Sequence, residues 1–320
     1  MKPGANVLLL ALGLGLAVVL VRQIGPAVVL HLLIRIGWRF LLIAAIYAVQ
    51  VGVRAAALWR VMSESAVPYR DVLRIRLAAE AVETLTFTGP FLAEPAKGWL
   101  LVRRGTPASA AFAAVITEYL LYTVISSGVA IAALSVLLTR HALPNGLRPA
   151  AVLILVAAMA FIGAFMFAAF TGIGLIVPIL RASHAVIGQR AARLADEFQR
   201  IEDGIIAFLH DRSRRLLEVL AIEAGAQALL VIEVWMLIAA LGFSSSYGQS
   251  LVIEGGVKFV GIAFAFIPGQ FGASEGAYAL VARVVGLTAA VGVSVALARR
   301  LRSLLVAIVG ITVLARLRDR

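Results

Sequence analysis

The chain has no cysteine among its 320 residues, so disulfides and thiolate metal sites are excluded. Charge is scarce as well. Only 14% of residues are Asp, Glu, Lys or Arg, against 62% hydrophobic. A soluble domain carries about a quarter charged residues, because its surface must be wetted. Too few polar groups are present here to cover a soluble protein of this length. Acidic residues are scarcer than basic ones, 17 against 29. Phosphate-binding Gly-rich loops, a dinucleotide fingerprint and a nucleophile elbow do not occur. The four histidines, at 31, 141, 184 and 210, show no ligand spacing, so neither a metal nor a cofactor is expected.

What fills the chain is long apolar runs. Residues 5–21 and 149–180 contain no charged residue, and residues 108–138 contain only Glu118. A membrane-spanning helix needs ~20 such residues. Lipid cannot satisfy backbone amides, so spans are helices or closed barrels, and unbroken runs without alternation point to helices. The expected fold is an all-α polytopic membrane protein forming one domain over residues 1–320. Six full spans are expected near residues 5–21, 39–59, 108–138, 149–180, 216–241 and 286–315. The first follows Lys2 and is read as a retained helix, since no small-residue cleavage site follows it.

The net charge of +12 sits between these runs. In a membrane protein that placement sets orientation and attracts anionic lipid, and it argues against a nucleic-acid partner. Arg70, Arg74 and Arg76, the arginines between 190 and 215, and Arg316, Arg318 and Arg320 are placed in the cytoplasm, with both termini. Arg22, Arg35 and Arg39 then fall outside. Residues 183–215 carry an apolar stripe through Ile187, Ala191, Leu194, Phe198, Ile201, Ile205 and Phe208. That period predicts an amphipathic helix on the cytoplasmic surface, or a contact in a homo-oligomer.

Two apolar stretches, 72–102 and 251–285, are interrupted. The first holds Gly89, Pro90 and Pro95 ahead of or around Glu94 and Lys97; the second holds Pro268, Gly269 and Gly272 ahead of Glu275. In both, a glycine is followed by an aromatic, an alanine and a glutamate. Two re-entrant hairpins related as an inverted repeat are expected, each bringing a broken helix to a site near mid-membrane. A charge in hydrocarbon costs ~3 kcal/mol and marks a cavity or a partner. Glu94, Lys97, Glu118, Glu275, Arg299 and Arg300 are therefore the candidate substrate-binding residues. Arg302 divides the last span with Arg299 and Arg300, and Glu118 and Glu275 are the expected partners of those arginines. Glu223 and Glu233 share one face of the fifth span, while Glu218 lies at its basic end.

These motifs resemble the membrane domain of the lysylphosphatidylglycerol synthases, a flippase-like family with members that stand alone. The similarity runs through Trp59-Arg60, the stretch from Phe91 to Lys97, Arg103-Arg104-Gly105, Glu118, the stretch from Pro268 to Glu275, Arg299 or Arg300, and Gly310. Thr88-Gly89-Pro90-Phe91 departs from the family's usual opening of the first hairpin. The resemblance implies a bacterial inner-membrane protein that moves lipid across the bilayer, the lipid being an anionic or aminoacylated phospholipid, a glycolipid or an isoprenoid. No aminoacyl-transfer domain is seen, so synthesis of the lipid is not expected. The alternatives are a membrane enzyme acting on a lipid-linked substrate and a non-catalytic scaffold for a lipid synthase.

Overall fold

The computed structural model describes residues 26–62, 67–86, 90–140, 148–172, 189–210, 214–263 and 272–318, with single residues 22, 146 and 270. Among them are eleven helices and no strand: α1 Pro26–Ile36, α2 Arg39–Val61, α3 Tyr69–Thr86, α4 Pro90–Val102, α5 Ala108–Arg140, α6 Arg148–Thr171, α7 Gln189–His210, α8 Arg214–Ala240, α9 Tyr247–Ala263, α10 Ala273–Val284 and α11 Ala289–Arg318. The expected span at 5–21 and the breaks at Gly89, Pro268 and Gly269 lie outside the described residues.

Four helices, α2, α5, α6 and α8, are long and apolar enough to cross a membrane. The length of α11 would suffice too, but Arg299, Arg300 and Arg302 interrupt its apolar character. It nonetheless runs unbroken through the three arginines, so the halves do not fold back on each other.

The helix starts follow from local chemistry. At α9, Ser246 Oγ accepts the Gln249 amide at 3.1 Å, and Gln249 Oε1 accepts the Ser246 amide at 2.8 Å. This reciprocal cap satisfies two donors that a helix N-terminus leaves free. At α10, Glu275 Oε2 accepts the Gly272 amide at 2.7 Å. Pro90 opens α4, a position where its missing N–H costs nothing. Pro95, expected to help break the helix, instead lies inside α4. The carbonyl it deprives of a partner belongs to exposed Phe91, in the helix's first turn.

The helices pack in two reciprocal halves. The first is α2, the hairpin α3–α4, and α5; the second is α8, the hairpin α9–α10, and α11. The long helix α11 lies along α3, the first arm of the other half's hairpin, and α5 lies along α9 in the same way. Helices α2 and α8 pack against each other. Such an exchange is what a two-fold relation between the halves requires.

The correspondence extends to single residues. Gly105 and Gly286 both turn the chain with a left-handed backbone, φ 89° and 88°. Gly105 N–H donates to Val102 and Thr106 N–H to Leu101, at 3.0 and 3.2 Å; Gly286 donates to Arg283 and Leu287 to Ala282, at 3.1 and 2.8 Å. One register aligns the two turns and the helices on either side of them. Where α11 crosses α3, Gly310 meets the Leu77 carbonyl; where α5 crosses α9, Gly255 meets Val129 and Ala133. These are the same crossing, with the glycine supplied by the long helix in one half and by the hairpin in the other. Small residues let helix backbones approach closely in lipid.

The C-terminal part of helix α7 buries the expected stripe, although Phe198 stays exposed and Glu202 is buried. Ile205 and Leu209 are buried, and Ile201 and Phe208 pack with them against Ala57 of α2, Leu121 of α5 and Val219 of α8. Helix α6 is the opposite case. It is apolar all round, and Leu153, Val156, Phe167 and Phe170 stay exposed, as side chains facing hydrocarbon would be.

Candidate functional site

Charged side chains are buried in this bundle in two networks, one in each half. The first centres on a carboxylate. Glu118, 1% exposed on α5, accepts from Arg54 Nη2 of α2 at 2.7 Å and from Lys97 Nζ of α4 at 3.1 Å. Arg76 Nη1 of α3 stands 3.9 Å away. Lys97 also pairs with Glu94 at 2.6 Å, and its side chain is wholly buried. Arg76 donates to Glu80 at 2.7 Å, and Tyr47 of α2 donates to the same carboxylate at 2.8 Å.

The second network centres on a guanidinium. Arg299 of α11 pairs with Glu254 of α9 and donates to the Tyr278 hydroxyl of α10. Its Nη2 stands 3.3 Å from Glu233 Oε2 of α8. Arg302 takes Glu233 with two donors, Nη2 at 2.9 Å and Nε. Lys258 stands 3.4 Å from Glu254 and also donates to Ser126 and Gln227. Arg300 pairs with Glu275 at 2.9 Å.

The central pairs of the two networks correspond, with their charges exchanged. The register that aligns Gly105 with Gly286 also aligns Glu118 with Arg299, Lys97 with Tyr278, and Glu94 with Glu275. Counted from the starts of α3 and α9, Arg76 matches Glu254 and Glu80 matches Lys258. Counted back from the ends of α2 and α8, Arg54 matches Glu233. So Arg54–Glu118 corresponds to Glu233–Arg299, and Arg76–Glu80 to Glu254–Lys258. In these pairs the contact is kept and the sign reversed, whereas Glu94 and Glu275 keep their sign and Lys97 is matched by the neutral Tyr278. A buried ion pair is held by mutual attraction against desolvation, and that balance does not depend on which helix carries which sign.

The networks touch at two tyrosines. The Tyr47 ring lies 3.4 Å under the Arg302 guanidinium, while its hydroxyl serves Glu80. The Tyr122 ring lies 3.7 Å from Arg54 and 5.8 Å from Lys258. Charge therefore runs continuously from one half to the other through cation–π contacts.

All six candidate residues fall within these networks, but their partners differ from those expected. Glu118 binds Arg54 and Lys97, not an arginine of α11. Arg299 binds Glu254 and Glu233. Glu275 does meet Arg300, yet its other oxygen caps α10 at Gly272, so it has a clear structural duty. Among the described residues, these charges pack against one another. Two shallow hollows, of about 540 and 250 Å³, lie elsewhere, against 148–156 and between 33–40 and 297–301, and their walls are mostly apolar.

Arg54, Glu80, Glu254, Lys258 and Tyr278 were not singled out from the sequence, and Arg76, read there as one of the loop arginines that set orientation, is instead buried at 4% exposure in the first network. For Arg54 a signal existed: it is a lone cation deep in the second apolar run, 6% exposed in the structure. Arg76 and Glu80, like Glu254 and Lys258, are four apart on a helix, a spacing equally common on solvated faces.

The profile of the family described as the lysylphosphatidylglycerol synthase TM region matches residues 6–310. No curated protein and no solved structure matches the chain.

Proposed function

The chain belongs to the lysylphosphatidylglycerol synthase TM-region family, and from that premise we propose that it moves a polar-headgroup lipid across the bilayer. Its family and its helices make it a multi-pass membrane protein connected with lipid synthesis or flipping. The observation that carries the finer reading is the exchanged pair of networks, Arg54–Glu118 and Glu233–Arg299, buried at the contact between the halves. Ion pairs this deep are costly in hydrocarbon. A membrane protein with only packing to satisfy has no need of them.

In this reading α3–α4 and α9–α10 are re-entrant hairpins entering from opposite faces of the inner membrane, and the two-fold axis lies in the membrane plane. With the pairs closed, the path is occluded. Parting one half frees its cations and carboxylates together. Lys97, Arg299 and Arg300 then take a headgroup phosphate, which guanidinium binds with two donors. Glu94, Glu118 and Glu275 take a cationic headgroup or balance the arginines. The acyl chains stay in the lipid beside exposed α6.

The test is reconstitution into vesicles containing a fluorescent phosphatidylglycerol, with its transfer between leaflets followed by chemical quenching from outside. The wild-type protein should accelerate transfer, and Arg299→Ala and Glu275→Gln should abolish it while remaining folded. Unchanged transfer in both folded variants would remove these residues from the path.

A further inference from the structure

One buried acid of α8 stands at the edge of the first network without a hydrogen bond among the described residues. Glu223 of α8 is 0% exposed, and neither of its carboxyl oxygens has a hydrogen-bond partner among the described residues. Its nearest cation is Arg54, whose Nε stands 3.6 Å from Oε2, and that Nε is itself without a hydrogen bond. The Arg54 Nη2 donor is already committed to Glu118. One guanidinium is thus shared by two carboxylates, and Glu118 has the better of it, with Lys97 and Arg76 in addition. The contrast within α8 is direct. Glu218 near its start is bound by Arg60 and Arg214, and Glu233 near its end by Arg302 and Arg299.

The surroundings of Glu223 are charged on every side that packs against α8. Helix α2 presents Arg54, and α5 presents Glu118 and Tyr122. Through Gln227, one turn along the same face, α9 presents Lys258 and behind it Glu254. Helix α11 presents Arg299 and Arg302 to Glu233. Arg35 of α1 meets the far end of α8 at the Leu241 carbonyl. Arg76 of α3 acts from behind Glu118. Gln227 Nε2, like the Glu223 oxygens, has no hydrogen-bond partner among the described residues. Glu223 therefore sits where the two exchanged networks meet, on a helix that contacts both.

An ionised carboxylate buried without hydrogen bonds is expensive, and the carboxyl escapes that cost by taking up a proton. We propose that Glu223 is a proton-binding site, protonated while the halves are closed and ionised when they part. The coupling to lipid movement rests on the transport reading above. When the Arg54–Glu118 pair opens, Arg54 is freed to turn its Nε and Nη2 donors to Glu223. The O–H bond of the carboxyl breaks, the proton passes to water on the open side, and the new carboxylate pairs with Arg54. On closing, Arg54 returns to Glu118 and Glu223 takes a proton back. No electron changes hands and no other reactant is needed.

The test reads the proton and the lipid separately. In nanodiscs, infrared spectra of the wild-type protein at neutral pH show the carbonyl stretch of a protonated carboxyl. Glu223→Gln loses that band, Glu223→Asp keeps it at a shifted frequency, and Glu218→Gln, on the same helix but bound by Arg60 and Arg214, keeps it unchanged. A band that survives in Glu223→Gln, or vanishes in Glu218→Gln, overturns the proton site. In vesicles holding fluorescent phosphatidylglycerol, a pH gradient changes the wild-type transfer rate, and Glu223→Gln is indifferent to the gradient. A Glu223→Gln protein that still responds overturns the coupling. If the wild-type protein moves no lipid under any gradient, the transport reading and the coupling fall together, and the infrared band alone decides the proton site.

Discussion

Arg54 of α2 holds Glu118 of α5 at 2.7 Å, and the same contact recurs in the other half with its charges exchanged, as Glu233 of α8 and Arg299 of α11 at 3.3 Å.

The first prediction concerns the stability of the buried pairs. Lys97→Met leaves Glu94 and Glu118 short of a cation inside the protein. Removing one partner of a buried pair costs ~3–5 kcal/mol. Thermal unfolding in detergent should show a large loss for Lys97→Met and a smaller further loss when Glu118→Gln is added, since the two residues act as one unit. Arg74→Ala breaks an exposed pair with Asp71 and should cost less than about 1 kcal/mol. Equal melting of all three proteins would show the buried network to be energetically inert.

Helix crossings give the second. A Cβ at Gly255 would lie 2.8 Å from the Val129 carbonyl oxygen, while at Gly225 of α8 it would meet nothing. Overpacking costs about 1–3 kcal/mol, whereas alanine in an open helix position gains up to about 1 kcal/mol over glycine. Gly255→Ala should therefore melt lower than the parent, and Gly225→Ala the same or higher. The matching substitution Gly310→Ala should behave like Gly255→Ala, because it occupies the same crossing.

A third concerns the matched turns. Gly105 and Gly286 have open space where a Cβ would stand, so only backbone strain opposes a side chain. The left-handed conformation costs an ordinary residue ~1–2 kcal/mol. Alanine at either turn should lower stability by that amount. Asparagine, which tolerates this region, should lower it less. Unequal effects at the two glycines would show that the turns are not equivalent.

Topology supplies the fourth. The chain has no cysteine, so single cysteines report on their own position without background. Arg74→Cys and Arg214→Cys should react with a membrane-impermeant thiol reagent only from the cytoplasmic side. Ser246→Cys, in the turn before α9, should react only from the opposite side. Labelling of all three from one side would exclude hairpins that enter from opposite faces.

Much of this could be read from residue order. The scarcity of charge and the length of the apolar runs demanded a membrane and helices, because lipid leaves the backbone no other way to close its hydrogen bonds. Of the glycine and proline clusters expected to break the two interrupted stretches, Pro95 lies inside α4, and Gly89, Pro268 and Gly269 lie outside the described residues. An acid at 118 inside an unbroken run announced a buried partner. These are local facts, and local physics suffices to state them.

Which cation answers Glu118 was not a local question. Its partners come from α2, α3 and α4, and they were chosen by the way the first half folds on itself, which no pattern of spacing encodes. The exchange of sign between the halves was hidden for the same reason: Glu118 and Arg299 look unrelated as residue types, and only their places in matching contacts make them equivalent. Composition made buried charge in oil inevitable for this chain. The packing of two reciprocal halves determined where those charges meet, and left Glu223 beside a guanidinium that Glu118 already holds.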